Sequence, residues 1–329
     1  MSGGLSRNSL LSSAAGVLAS LAVALPRVAL AQSGQRLTVG VLPPADISGE
    51  PYYAESQGFF RAQGLDVSIQ PLANGSATIA AVAGGTLDIA YSNMLSMAIA
   101  HGRGIDMLIL APANLHVREA PTTGILAVNR SSAIFSAKDL TGKLVAVEGL
   151  NNVAEISARS WIDKNGGDSQ TVKFVELAGA TMPAAILANR VDAAVMNAIY
   201  DTTFGKRDDP LRRLCTSTFD AISTRWAPSV WFTSPQWIAQ HPSAALAFVR
   251  AMRTTADWAN KNQSATAEVL ARYTQQTVSD IQSTRRVTYG GAMTPELIQP
   301  GIDAAAHYGL IKTSFPASDM IANLGDLHR

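Results

Sequence analysis

The stretch Gly75–Asn93, GSATIAAVAGGTLDIAYSN, returns 104 residues later as Gly179–Asn197, GATMPAAILANRVDAAVMN. Six positions are identical at that offset, among them the first glycine, the closing asparagine, and an aspartate that is Asp88 in one copy and Asp192 in the other. Each copy predicts a turn of small residues, a short apolar helix, a second turn, and an apolar strand that ends on a polar residue. The repeat therefore predicts two similar α/β lobes that face each other across a cleft.

The first 31 residues predict a secretory signal peptide. Arg7 is followed by an apolar run at 9–25, and the segment Ala29–Ala31 has the small-x-small pattern of a cleavage site. The run stops short of the roughly 20 apolar residues that a membrane-spanning helix needs. We expect cleavage after Ala31 and export of the mature protein.

Composition and motif content exclude several classes of protein. A formal net charge of +1 on 329 residues argues against the clustered basic surface that nucleic-acid binding needs. The single cysteine, Cys215, allows neither an intramolecular disulfide nor a cysteine-based metal site, and we expect it to be buried in a strand. The five histidines lack metal-ligand spacing, and no nucleophile elbow or phosphate loop is present, so we expect no metal, no cofactor and no catalytic residue. The matching positions of Asp88 and Asp192, each just before a strand, favour a structural turn over a catalytic carboxylate pair.

Local patterns extend the α/β prediction along the chain. Runs rich in β-formers and bounded by turn residues predict strands at 36–42, 65–70, 106–112, 124–128, 143–147, 171–177, 191–196, 214–219 and 229–233. Helical periodicity and capping residues predict helices at 52–62, 93–102, 243–260, 265–273, 295–309 and 318–324, with a further helix capped by Asn151 or Asn152. We expect the segment that contains His116 and Arg118 to be a connection.

Four motifs resemble one known family. They are YAESQGFF at 53–60, GLDV at 64–67, GTLDIA at 85–90 and DLTGK at 139–143. Together they resemble the nitrate/sulfonate/taurine-binding and thiamine-precursor-binding (NMT1/THI5-like) family, whose members are periplasmic solute-binding proteins of ABC importers. The resemblance spans most of the mature chain.

The resemblance implies an α/β architecture, the type II periplasmic-binding-protein fold, with a cleft between two lobes and a hinge of two crossings. Lobe one would comprise 32–125 and the mostly helical 226–329, and lobe two would comprise 126–225. The implied role is that of a monomer in the periplasm that binds a small-molecule ligand and closes around it. The closed protein would dock on an ABC permease in the inner membrane. It would catalyse no reaction and bind no nucleic acid.

Ligands of open α/β sheets bind at the carboxyl ends of the strands, and this rule selects the candidate contacts. Three predicted helix starts offer backbone N–H groups that suit an anion: Gly75, Ser76 and Ala77; Asn151 and Asn152; and Thr181. Plain helix capping is the alternative for each of these residues taken singly. Ser92 and Asn93 end one echoed strand and Asn197 ends the other, where an amide can donate to or accept from a ligand. A helix cap or a turn is the alternative for the two asparagines.

Four further residues complete the candidate ligand-binding set. Tyr52, Tyr200 and Trp226 are predicted apolar or stacking walls, with ordinary core packing as the alternative. Asp46 would bind a ligand amine if it faces the cleft, whereas an isolated loop aspartate more often faces solvent.

The leading functional hypothesis is capture of a small organic anion, such as a sulfonate, a taurine-like compound or an aromatic acid. One alternative is a thiamine-precursor pyrimidine or similar heterocycle in the same cleft. Another is an enzyme of the desulfinase kind, but the catalytic cysteine of the desulfinase relatives lies near the first loop, whereas Cys215 lies near the end of the second lobe. A sensory role would look the same in sequence.

Overall fold

The computed structural model describes residues 34–120, 123–197 and 209–325. The predicted signal segment 1–31 and the candidate residue Tyr200 lie outside the described residues. These described residues form one compact unit built on two β-sheets. The architecture is a mixed α/β fold, as the repeat predicted.

The strands belong to a six-stranded first sheet and a five-stranded second sheet. In chain order they are β1 (Gln35–Val41), β2 (Leu65–Pro71), β3 (Ile89–Asn93), β4 (Leu108–Val117), β5 (Ile125–Asn129), β6 (Leu144–Val147), β7 (Lys173–Glu176), β8 (Ala193–Met196), β9 (Leu211–Cys215), β10 (Arg225–Thr233) and β11 (Thr288–Tyr289). The first sheet has the order β11-β4-β10-β3-β1-β2, and the second has the order β7-β6-β8-β5-β9.

Helices cover both faces of each sheet. They are α1 (Glu50–Gln57), α2 (Phe59–Ala62), α3 (Gly75–Ala83), α4 (Met94–Gly102), α5 (Val153–Lys164), α6 (Met182–Leu187), α7 (Pro235–Gln240), α8 (Pro242–Lys261), α9 (Gln263–Ala271), α10 (Val278–Ser283) and α11 (Pro295–His307). One face of the first sheet packs on α1 and α8, and the other packs on α4 and α11. The second sheet packs on α6 on one face and on α5 on the other.

The two sheets share one topology. In the first, β1 lies between β2 and β3 and is parallel to both; in the second, β6 lies between β7 and β8 and is parallel to both. In the first sheet, β10 pairs antiparallel with β3, and β4 pairs antiparallel with β10. In the second sheet, β5 pairs antiparallel with β8, and β9 pairs antiparallel with β5. The chain passes between the sheets twice, from β4 to β5 and from β9 to β10. Parallel strands that share this arrangement bring their carboxyl ends to one edge of each sheet.

Three predicted elements differ from the observed ones because of long-range pairing. His116 lies within β4 rather than in a connection, because β4 continues along β10 and pairs there with Trp226. The strand predicted at 214–219 is β9, which starts earlier opposite β5 and gives way to a 3-10 turn at Thr218–Ala221. The helix predicted at 318–324 is a 3-10 turn, Ala317–Met320, and the chain after it runs beside β4 through a bridge at Ile109.

Local geometry explains the remaining differences. The helix predicted at 52–62 is two helices, because Gly58 adopts the left-handed φ of 73° that ends α1. The short elements α7, α10 and β11 were not predicted, since they are too short to show a periodic pattern. Among the described residues, no helix has both the length and the hydropathy needed to cross a bilayer.

Candidate functional site

Two adjoining cavities open between the sheets. The outer cavity has a volume of about 450 Å³, and the inner cavity has a volume of about 120 Å³. Three residues line both cavities: Asn93 at the end of β3, Glu148 directly after β6, and Asn152 directly before α5. The two cavities are therefore parts of one cleft, which lies where the strand-end rule places a ligand.

The start of α3 forms the first-sheet wall of the outer cavity. The Asn74 side chain caps this helix by accepting a hydrogen bond from the Ala77 N–H at 2.9 Å. Gly75 and Ser76 line the cavity beyond the cap. The Ser92 hydroxyl donates to the Gly75 carbonyl at 3.3 Å, and a Cβ at position 75 would lie 2.5 Å from that hydroxyl oxygen. Glycine is therefore required where the helix start approaches the end of β3.

The start of α5 forms the facing wall. Asn152 caps α5, because its side-chain oxygen accepts from the N–H groups of Ala154 at 2.9 Å and Glu155 at 3.3 Å. Asn151 precedes it with a left-handed φ of 55°, a conformation that asparagine tolerates better than most residues. Its N–H donates to the Glu155 carboxylate at 2.8 Å. The turn that presents Asn151 and Asn152 to the cleft is thus held by hydrogen bonds within α5.

A neutral polar network forms the first-sheet side of the inner cavity. The buried Tyr91 hydroxyl donates to the Ser229 hydroxyl at 2.7 Å and accepts a long bond from the Asn114 amide at 3.4 Å. Burial raises the pKa of Tyr91 to about 12, against the opposing effect of these hydrogen bonds, so the phenol is neutral at physiological pH. Side chains from β3, β4 and β10 therefore offer donors and acceptors without net charge.

Glu148 supplies the charge on the opposite side of the inner cavity. It follows β6 directly, and both of its carboxylate oxygens accept from the Asn197 amide nitrogen, at 3.0 and 3.2 Å. Burial of the carboxyl raises the pKa of Glu148, while the hydrogen bond from Asn197 lowers it. The side chain still has open surface in the cleft, so the carboxylate is available to a ligand.

Apolar side chains complete the inner cavity. They come from both sides of the cleft, and the set is Leu42, Ile47, Val153, Ala154, Val195, Phe219 and Pro228. The Phe219 ring packs against the buried Trp226 ring, with centroids 5.6 Å apart. Trp226 therefore supports a cavity wall from behind.

The structure brings six of the predicted residues together in the cleft. Their shared feature is a position at a helix start or at a strand end, and they are Gly75, Ser76, Asn93, Asn151, Asn152 and Asn197. Asn93 also caps α4, since its side-chain oxygen accepts from the Ser96 N–H at 2.9 Å. Of the other two residues at this edge, Ser92 is fully buried and positions Gly75, and the N–H of Ala77 is occupied by Asn74.

Three predicted wall or helix-start residues lie elsewhere. Tyr52 is buried and packs on Tyr273, with ring centroids 4.4 Å apart, so it belongs to the core around α1. Trp226 is fully buried behind Phe219, because it lies in the middle of a sheet that is covered on both faces. Thr181 donates to its own turn at Ala178 and lines a separate depression on the second sheet.

Asp46 has a structural partner. Its carboxylate accepts from the Arg286 guanidinium at 2.5 and 3.0 Å and from the Val287 N–H at 2.7 Å, and the Tyr53 hydroxyl donates to it at 3.2 Å. These bonds fasten the loop after β1 to the segment before β11. Asp46 lines a small third cavity beside the cleft, while its neighbour Ile47 reaches the inner cavity.

Sequence reasoning missed the inner cavity's polar residues. Glu148 lies in a loop that the strand-end rule selects, and its position directly after β6 was the available signal. Asn114 and Ser229 were missed because they lie within β4 and β10, and only the pairing of those strands brings them to Tyr91.

The sequence matches the model of one protein family, described as NMT1/THI5 like, over residues 48–266. No curated protein sequence gives a match.

Three solved structures show the same fold at low sequence identity. The alkanesulfonate-binding protein SsuA from Xanthomonas axonopodis pv. citri, bound to MOPS, has 14% identity and a TM-score of 0.71, with 88% of this chain and 99% of that chain covered. The periplasmic aliphatic sulphonate-binding protein SsuA from Escherichia coli has 16% identity and a TM-score of 0.71, with 88% and 92% covered. The CA3427 gene product of Candida albicans, which has the generic periplasmic binding protein fold, has 14% identity and a TM-score of 0.68, with 87% and 96% covered.

Proposed function

Because the chain belongs to the NMT1/THI5-like family, as its motifs predicted, we propose that it is the extracytoplasmic solute-binding component of an ABC importer. In this role it would capture a small organic solute in the periplasm and deliver it to a permease in the inner membrane. The fold, which is that of periplasmic binding proteins, is compatible with this role.

The observation that carries the proposal is the cleft. Its two cavities are lined from both sheets by strand ends, helix starts and neutral amides, with apolar side chains behind them. Small-molecule sites in proteins have this composition, with mostly apolar walls and a few placed polar groups. The total volume is in the range of about 300–1,000 Å³ that is usual for such sites.

Closure would accompany binding. We propose that lobe one comprises 32–125 with 226–329 and that lobe two comprises 126–225, so that the two crossings between sheets act as the hinge. His116 of β4 and Asp220, in the turn after β9, join these crossings through a 2.7 Å contact between Nε2 and a carboxylate oxygen.

Binding without chemistry is the second part of the proposal. Cys215 is the only cysteine, and it lines a shallow depression near the crossings rather than the cleft. Burial raises the pKa of the Cys215 thiol to about 12, so it stays protonated and is a poor nucleophile. These features support a binding protein over a desulfinase-like enzyme.

The charge of the solute depends on two opposing features. The start of α3 and the exposed Arg103 at the outer cavity favour the small organic anion expected from the sequence. Glu148, which lines both cavities, and Glu176, which lines the outer one, oppose an anion. The sign of charge that the cleft prefers therefore depends on which of the two cavities the charged group of the solute occupies.

A thermal-shift panel on the purified protein tests the proposed function. The panel contains taurine, alkanesulfonates, nitrate, aromatic carboxylates, aromatic amines and pyrimidines. A solute at 100 times its dissociation constant should add about 2.7 kcal/mol to the free energy of unfolding. The proposal expects at least one class to raise the melting temperature and to be recovered unchanged. A solute that is converted during incubation would contradict it.

A further inference from the structure

The inner cavity contains a carboxylate and no matching cation. Among the described residues that line it, Glu148 is the only charged side chain. Arg103, which lines the outer cavity, is an exposed residue directly after α4. A solute group that enters the inner cavity with a negative charge would therefore meet a like charge.

The Glu148 carboxylate is held in place with acceptor capacity to spare. Asn197 contributes a single amide nitrogen to the two oxygens, whereas an ionised carboxylate has about four lone-pair sites. The groups across the cavity, Tyr91, Asn114 and Ser229, are neutral and bond to one another. No described neighbour in the cavity neutralises the carboxylate, so a donor-rich ligand group would be its natural partner.

The size and walls of the inner cavity restrict that group. A volume of about 120 Å³ is close to that of engineered cavities of about 150 Å³ that bind benzene, so it accommodates a group about the size of a single ring. Leu42, Phe219 and Pro228 provide apolar surface for the body of the group. The remainder of a larger solute would lie in the outer cavity, which shares Asn93 and Glu148 with the inner one.

We propose that the inner cavity binds a cationic nitrogen group of the solute, such as an amidinium, a protonated aminoheterocycle or an arylalkylammonium, which donates hydrogen bonds to Glu148 and packs on Phe219. This inference rests on the proposed solute-binding function and names the chemical class of its ligand. Charge-assisted hydrogen bonds of this kind are about twice as strong as neutral ones. The solute is therefore recognised by its N–H groups, and an acidic group elsewhere on it would lie towards Arg103.

Calorimetric titration with four matched probes tests the inference. Benzamidine and benzylamine carry a cationic nitrogen, and benzoate and benzenesulfonate carry an anion on the same ring. Each probe is titrated into the wild-type protein and into Glu148→Gln and Glu176→Gln. Glu176 also lines the outer cavity but not the inner one, so its variant removes the same charge at a matched control position. The melting temperature of each unliganded variant verifies that it is folded.

The inference expects the cationic probes to bind the wild-type protein at least about tenfold more tightly than the anionic ones, and Glu148→Gln, but not Glu176→Gln, to remove that preference. Glutamine keeps the shape of Glu148 but removes its charge, so unchanged binding of the cationic probes by Glu148→Gln would overturn the inference. Preferential anion binding by the wild-type protein would also overturn it while leaving the proposed function intact. Absence of binding by all four probes would overturn the ligand class, and the solute panel would still decide the function. Conversion of a bound cationic probe would instead contradict the proposed function and leave the ligand class standing.

Discussion

The two sheets share the same scaffold but present different parts of it to the cleft. In the first, Val39 of β1 pairs with Ile89 of β3; in the second, Val145 of β6 pairs with Ala193 of β8 in the equivalent parallel register. The aspartate of each repeat ties that pair of strands together, because Asp88 accepts from the Thr38 N–H and Asp192 accepts from the Leu144 N–H. The identical aspartates thus maintain the scaffold.

The two sheets differ in the helix that starts at the cleft. In the first repeat, the nine-residue α3 starts at the cleft, next to the end of β3. In the second, the matching residues form a 3-10 turn, Gly179–Thr181, followed by the six-residue α6, and Thr181 lies away from the cleft. The facing wall comes from α5, which precedes β7 rather than β8. The sequence repeat therefore predicts the shared strands and turns, but the helix starts that line the cleft belong to non-equivalent helices.

The two repeated aspartates are expected to differ most in how much their loss lowers the free energy of unfolding. Asp88 accepts from the Thr38 N–H at 2.6 Å, the Thr38 hydroxyl at 2.8 Å and the Trp237 indole N–H at 2.8 Å. Asp192 accepts from the Leu144 N–H at 2.9 Å and has a half-exposed Lys143 at 3.6 Å. Asp88→Ala should lower the free energy of unfolding by about 3 kcal/mol and Asp192→Ala by about 1 kcal/mol. Urea denaturation measures both, and equal losses would show that the extra bonds of Asp88 carry no stability.

Two glutamates in the first turns of helices differ in the hydrogen-bond partners of their carboxylates. Glu50 of α1 is buried with one carboxylate oxygen bonded to the Trp231 indole and with no partner for the other oxygen among the described residues. Glu155 of α5 bonds to Arg159 at 2.7 and 2.8 Å and to the Asn151 N–H. We expect Glu155→Gln to lower stability by about 1–2 kcal/mol at neutral pH, whereas Glu50→Gln should raise it.

The gain from Glu50→Gln depends on pH. Burial raises the pKa of Glu50 well above 4.5, so the folded state holds the proton more tightly than the unfolded state. Wild-type stability from this group is complete below the unfolded pKa and is lost as the pH rises towards the folded pKa. The variant should therefore gain about 1–2 kcal/mol at pH 8 and nothing at pH 4.5, measured by urea denaturation at both values. A variant that is less stable than the wild type at pH 8 would contradict this account.

The closing asparagines of the repeat have different local roles. Asn93 caps α4 and lines both cavities, whereas Asn197 bonds to Glu148 and caps no described helix. Asn93→Ala should cost about 1 kcal/mol of stability as a lost cap, and Asn197→Ala should cost less. Both should weaken solute binding in a calorimetric titration. A larger stability loss for Asn197→Ala would remove the distinction between the two strand ends.

The two repeat turns offer the smallest expected effect. Ser76 lines the outer cavity at the start of α3, and Thr181 lines a depression on the second sheet. Ser76→Ala should weaken solute binding by a few-fold, roughly the value of one solvent-exposed hydrogen bond. Thr181→Ala should leave the dissociation constant unchanged. An equal loss of solute affinity in both variants would place Thr181 at the cleft in the bound state.

Sequence reasoning selected those cleft-lining residues whose placement depends on local position. Gly75, Asn152 and Asn197 were predicted because helix starts and strand ends are visible in the local pattern, and the strand-end rule converts them into a common edge. The prediction that Tyr52 and Trp226 form walls of the cleft was wrong, because an aromatic side chain suits a core as well as a cleft. Only the packing of Tyr52 on Tyr273 and of Trp226 on Phe219 decides between the two. Asp46 could not be assigned because its partner, Arg286, lies 240 residues away in the sequence.

The central claim is that one solute molecule binds reversibly between the two lobes. Its most direct test is an equilibrium titration of the best solute from the thermal-shift panel into the wild-type protein and into Asn93→Ala and Asn197→Ala, followed by recovery of the solute from the denatured complex. The account predicts one molecule per chain, weaker binding in each variant, and complete recovery of unaltered solute. Wild-type affinity in both variants, or a solute recovered as a different compound, would contradict it.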